Sequence, residues 1–134
     1  MKTSELTGHA LDWAVAKAEG LLDPRDYFGK MVPSVVLDMK YWTDGTPIVR
    51  LNPCPDVYYK AEYDPSTKWQ HGGPIIEEEA IQLTPDEYTG TWTAYTTLEG
   101  EPYEYTGPTA LIAAMRCYVA SKLGDNIDLP EELK

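Results

Sequence analysis

Turnover at neutral pH needs a positioned base, a nucleophile, a metal cluster or a cradle for phosphate. This chain offers little of that kind. Its histidines are His9 and His71, and it contains no HExxH, GxxxxGK, GxGxxG or GxSxG motif. His9 falls in an amphipathic stretch and is expected at the surface. His71 stands beside Gly72-Gly73, where a loop could present it as a base or a ligand contact, but no nucleophile or carboxylate is spaced to orient it. Glu77-Glu78-Glu79 could suggest a divalent cation. Three consecutive side chains cannot point one way in a helix or a strand, so a solvated sheet edge is the better reading. The expectation is no catalytic residue, no metal, no cofactor and no enzyme.

Binding chemistry is better represented. Ten Tyr and four Trp accompany one Phe, a bias towards rings with a polar handle. Such rings either close a core with their tips in water or stack on a ligand. Two Gly-Pro sites, Gly72-Gly73-Pro74 and Thr106-Gly107-Pro108-Thr109, bring backbone within reach of a ligand because no Cβ intrudes. The second opens a helix, whose free amides could hold a phosphate or carboxylate, or could simply be capped by Thr. The candidate ligand-binding set is therefore Trp69, His71, Gly72, Gly73, Pro74, Thr106, Gly107, Thr109 and Arg116. Arg116 sits two turns down that helix.

The elements that must position these residues can be read along the chain. Residues 4–19 read as a helix with Ser4 as N-cap, Leu11, Ala14, Val15, Ala18 and Leu22 on one face, and Gly20 as C-cap. Residues 21–33 read as a connection. Strands are expected at 34–42, 48–51, 57–63 and 91–97, with a turn at Asp44-Gly45 and a loop at residues 52–55. Residues 69–74 read as a flexible turn, and 75–83 as strand or helix. Pro108 to Gly124 frames the clearest helix, with Leu111, Ala114, Met115 and Tyr118 as its stripe. The tail 125–134 is acidic and is expected on the surface. The fold class is α+β in one domain, residues 1–134: a mostly antiparallel sheet of short strands with an N-terminal and a C-terminal helix packed on it. A sandwich-like core carrying the same helices is the alternative.

Composition closes several doors. The 134 residues carry 22 acids and 11 bases, for a net charge of −11. Residues 1–68 are nearly balanced at −2, and residues 69–134 carry −9. Direct binding to nucleic acid or to an anionic membrane is excluded on charge. The acidic half is either a solvated face or a surface for a basic partner. Cys54 and Cys117 form no metal or redox spacing, no apolar run reaches the ~18 residues of a membrane span, and no signal peptide is expected. A cytoplasmic chain with free thiols is the natural reading.

Three segments carry a resemblance. The opening Met1–Gly20, the segment Trp69-Gln70-His71-Gly72-Gly73-Pro74-Ile75-Ile76-Glu77 and the segment Thr106–Val119 keep the order of motifs in NinX-like proteins of lambdoid phages. Residues 23–68 and 84–105 have no such match. The resemblance implies a phage origin and a bacterial cytoplasm, and it supplies no catalytic residue. Its motifs coincide with the Gly-Gly-Pro and Gly-Pro sites. In that context the expected function is a non-enzymatic accessory protein that binds a small nucleotide-like ligand, with capture of a host immune signal as the phage-context reading. The net charge opposes an anionic ligand, so Arg116, Lys122, Lys68 or Lys60 would have to supply a positive patch. The alternative is an acidic inhibitor docking on a basic host protein, and the last choice a hydrolase or transferase. Homo-oligomerisation is a further open partner class.

Overall fold

The computed structural model describes residues 1–20, 26–27, 30–31, 34–39, 47–52 and 61–134. A 3-10 turn, Thr3–Glu5, precedes helix α1, Gly8–Ala18. Five short strands follow: β1 (Asp26–Tyr27), β2 (Lys30–Met31), β3 (Ser34–Met39), β4 (Pro47–Asn52) and β5 (Ala61–Glu62). Helix α2 (Trp69–Glu78) leads into β6 (Gln82–Pro85), β7 (Trp92–Leu98) and β8 (Glu101–Gly107). Helix α3 (Ala110–Leu123) and a last 3-10 turn, Glu131–Leu133, complete the order.

The fold is α+β, with every strand pair antiparallel. The strands form three sheets rather than one, ordered β1-β2, β3-β4-β5 and β6-β7-β8. In the third sheet the prolines Pro85 and Pro102 both fall on edge strands, where a missing amide is tolerated. Glu99 and Gly100 have φ of 53° and 83°, and Leu98 pairs with Glu101, so β7 and β8 are joined by a two-residue turn of the type I′ class.

Helix α3 is the centre of the molecule. It packs on β6, β7 and β8 and also against α1 and α2, while α1 reaches β4. Every residue from Ala110 to Ala120 except the half-buried Ile112 is buried, so the stripe read from its sequence widens to a helix enclosed almost all round, with Arg116 as its one charged member. Leu6, Leu11, Ala14, Val15, Met115 and Val119 form the heart of the core.

Both ends differ from the sequence reading. The first helix starts at Gly8 after the N-cap Thr7, and Ser4 lies in the 3-10 turn instead. The tail is not a loose surface segment, because Ile127 and Leu129 are buried. It is stitched to the start of the chain. The Met1 ammonium donates to the Ile127 carbonyl at 3.0 Å, and Thr3 donates from its amide to Asp125 O (2.9 Å) and from Oγ1 to Gly124 O (2.8 Å). The strands expected at 34–42, 48–51 and 91–97 are seen at Ser34–Met39, Pro47–Asn52 and Trp92–Leu98. The turn at residues 44–45, the loop at 53–55, Cys54 and most of the 57–63 strand lie outside the described residues. No described helix is long and apolar enough to cross a membrane.

Candidate functional site

Residues 69–78 form a helix, which corrects the flexible turn expected at Trp69–Pro74. The chain is launched by a turn in which the Thr67 and Lys68 amides donate to Asp64 O at 3.1 and 2.9 Å. Pro74 lies in the second turn of α2 and is exposed. The helix ends in a Schellman motif: Ile81 N donates to Ile76 O at 3.0 Å and Ala80 N to Glu77 O at 3.3 Å. Ala80 occupies the left-handed position there, with φ 51°. Glu77 and Glu78 therefore belong to a helix C-terminus, not to a sheet edge.

The glycines serve packing rather than ligand approach. A Cβ on Gly72 would stand 2.5 Å from Pro65 O and 2.7 Å from Leu111 Cδ2, so α2 can lie this close to α3 only with glycine at that position. A Cβ on Gly107 would meet Ala113 N at 2.8 Å and Ile112 Cγ2 at 3.0 Å. Gly73 has only Trp69 Cε3, at 3.9 Å, nearby.

This close approach leaves an open groove of about 420 Å³ between the starts of α2 and α3. Its walls are Ser66, Thr67 and Trp69 on one side and Pro108 to Ile112 on the other, with Trp92 of β7 beside them. Trp69 is 57 % exposed, so its ring face along the groove is open to solvent. Both helix starts face this groove. Thr109 caps α3: its Oγ1 accepts from Ile112 N at 3.1 Å and its carbonyl from Ala113 N at 3.0 Å. The amides of Ala110 and Leu111 precede any intrahelical acceptor. Helix α2 has no side-chain cap at Lys68, so the Trp69 and Gln70 amides are in the same position. The positive ends of two helix dipoles thus border one cavity.

Of the nine residues selected from sequence, Trp69 and Thr109 line the groove. Arg116 does not. It is buried, with Nε donating to Leu6 O at 2.9 Å and Nη1 to Thr106 O at 2.8 Å, so it ties the N-terminal segment and β8 to α3. Desolvation holds its pKa below the ordinary arginine value. Thr106 is exposed on β8 and supplies one of those carbonyls.

His71 belongs to a second constellation, and it does have an orienting carboxylate. Its Nδ1 lies 2.8 Å from Asp64 Oδ1, and its ring stacks on Tyr63 with centroids 5.6 Å apart. Nearby, the Ser66 amide donates to the buried Asp12 carboxylate of α1 at 2.9 Å. Burial pushes the Asp12 carboxyl up to about 6, against the hydrogen bonding from Ser66. Burial likewise raises the Tyr63 hydroxyl well above its ordinary range. Among the described residues, Ser66 Oγ is buried without a hydrogen-bond partner. The cluster pins the 63–68 turn between α1 and α2. Sequence reading missed it because Asp12 is 54 residues from Ser66. The nearer cue was Asp64, seven residues before His71 and just ahead of the helix that carries it.

Among the described residues, no group of His, Cys, Asp and Glu is arranged to hold a metal ion. Cys117 is buried, and burial pushes its thiol up to about 11, which suits an inert core residue.

The family model for bacteriophage P22 NinX matches residues 2–122. The chain belongs to the NinX family. That match spans α1, the polar cluster, the groove and nearly all of α3, so both constellations are part of the NinX portion of the chain. No curated protein matches the chain.

Proposed function

We propose that this NinX-family chain is a non-enzymatic binding protein whose groove between the starts of α2 and α3 takes a small nucleotide-like ligand. One observation carries the reading: two exposed or half-buried indoles and two helix starts border a single groove of about 420 Å³. That volume is in the range of small-molecule sites, roughly 300–1,000 Å³. Trp69 and Trp92 suit a flat heteroaromatic ring, and stacking of a base on an aromatic side chain contributes roughly 1–3 kcal/mol. The first-turn amides of α2 and α3, which have no acceptor within their own helices, suit an anionic or carbonyl group. Among the described residues, His71 is held by Asp64 and Tyr63 rather than directed at the groove, which favours binding over turnover. Capture of a host signal in an infected bacterial cell is the role that the phage family makes natural.

The test is a thermal-shift screen of the purified protein against mononucleotides, ADP-ribose derivatives and cyclic dinucleotides. A ligand-dependent rise in Tm that Trp69→Ala removes is the expected result. Failure of all three classes to raise Tm overturns the reading.

A further inference from the structure

The turn between β6 and β7 presents the most exposed large hydrophobic side chain of the described residues. Tyr88 is 98 % exposed, at the apex of residues 86–91. The apex is held in shape from below. Asp86 N donates to Thr91 O at 2.8 Å, and Gly90 N, in a residue with φ 74°, donates to Asp86 O at 3.0 Å. Asp86 Oδ1 accepts the Tyr88 amide at 2.9 Å, and the Thr89 and Thr91 hydroxyls meet at 2.7 Å. The ring is thus offered on a preset backbone, which lowers the ordering cost of docking. A shallow recess of about 380 Å³ runs alongside, walled by Thr84, Pro85, Glu87, Tyr88 and Thr93 with Asp86.

We propose that the β6–β7 turn is a protein-docking finger, in which Tyr88 enters a pocket of a basic partner protein and Asp86 and Glu87 face cations at the pocket rim. Tyrosine is among the side chains that most often dominate an interface, since it buries a large ring and keeps a hydrogen-bonding tip. Charge selects the class of partner. The turn adds two carboxylates next to the ring, within a half of the chain that carries −9. A second copy of the chain brings −11 and is repelled, as is nucleic acid. This surface is separate from the groove, because Tyr88 and its neighbours do not line it.

The experiment is site-specific photo-crosslinking in phage-infected bacteria. Tyr88→p-benzoylphenylalanine is compared with the same replacement at Thr97, which is exposed on β7. The expected result is a light-dependent adduct from position 88 and none from 97. The adducted protein, once purified, should bind the wild-type chain at least tenfold more tightly than Tyr88→Ala, and should lose affinity between ~50 and ~300 mM salt. Trp69→Ala should bind it as the wild type does, which separates this surface from the groove. Tyr88 packs on nothing in the core, so circular dichroism of Tyr88→Ala should match the wild type. The proposal is overturned by no adduct at 88, by equal adducts at both positions, by an adduct between two copies of this chain, or by a partner indifferent to Tyr88→Ala.

Discussion

Gly72 and Leu111 set the distance between the two helices that border the groove: a Cβ on Gly72 would stand 2.7 Å from Leu111 Cδ2. The same Cβ would meet the Pro65 carbonyl oxygen at 2.5 Å, and backbone cannot turn aside as a side chain can. Gly72→Ala is therefore expected to destabilise the fold by roughly 1–3 kcal/mol, the usual penalty for overpacking. Urea unfolding checks this. Gly73→Ala is the milder comparison: beyond its chain neighbours a Cβ there meets only Trp69 Cε3 at 3.9 Å, and its one penalty is crowding against the Pro74 ring that follows it in the helix, so it should cost less than Gly72→Ala.

Arg116 is expected to act on stability rather than on ligand. Its guanidinium serves the Leu6 and Thr106 carbonyls, and Leu6 is fully buried. Arg116→Met should cost roughly 2–3 kcal/mol, the scale for losing charged hydrogen bonds and leaving acceptors dry. Ligand affinity of the folded fraction should be unchanged. A calorimetric titration beside the unfolding curve separates the two effects.

Ala80 holds the left-handed position that ends α2 and has no need of its Cβ. Ala80→Gly should stabilise the protein by about 1 kcal/mol, because an L side chain is penalised in that conformation by ~1–2 kcal/mol and glycine's looser unfolded state returns part of the gain. A rise in Tm checks it.

Asp12 gives a pH dependence with a defined sign. Its carboxyl is raised in the fold from 3.8 to about 6, so the native state binds more protons than the unfolded chain between those values. The stability associated with the protonated form is present below pH ~4 and is lost as pH rises through ~6. Asp12→Asn removes that slope. Relative to wild type, this variant should gain stability from pH 4 to pH 7, by up to about 3 kcal/mol. Denaturant curves at both pH values give the comparison.

The fold class and most elements were legible because the cues were local. Pro108 and Gly124 bracket α3, and runs of branched apolar residues mark β3 (Val35-Val36-Leu37) and β4 (Ile48-Val49). Two features were misread for physical reasons. Gly72-Gly73-Pro74 has the composition of a turn, yet tertiary packing overrides propensity: burial of Gly72 and Ile75 holds the segment helical, and Gly72 is there because α3 leaves no room for a Cβ. Strand β8 was passed over because Pro102 and two glutamates break the apolar pattern, which an edge strand tolerates. In the site, Trp69 and Thr109 were legible as a solvent-facing indole and a helix start. The Asp12–Ser66 and Asp64–His71 contacts were not, since no periodicity encodes pairs that meet only after α1 and α2 have packed.

The most direct test of the groove is to follow the tryptophan indole N–H signals by NMR while a ligand from the nucleotide screen is added. The chain has four tryptophans, so each signal can be assigned by a single replacement. Trp69 and Trp92 border the groove, whereas Trp13 sits on α1 under Lys17. The expected result is saturable movement of the Trp69 and Trp92 signals together, with Trp13 unmoved. Binding that shifts Trp13 and leaves Trp69 and Trp92 in place would contradict the account.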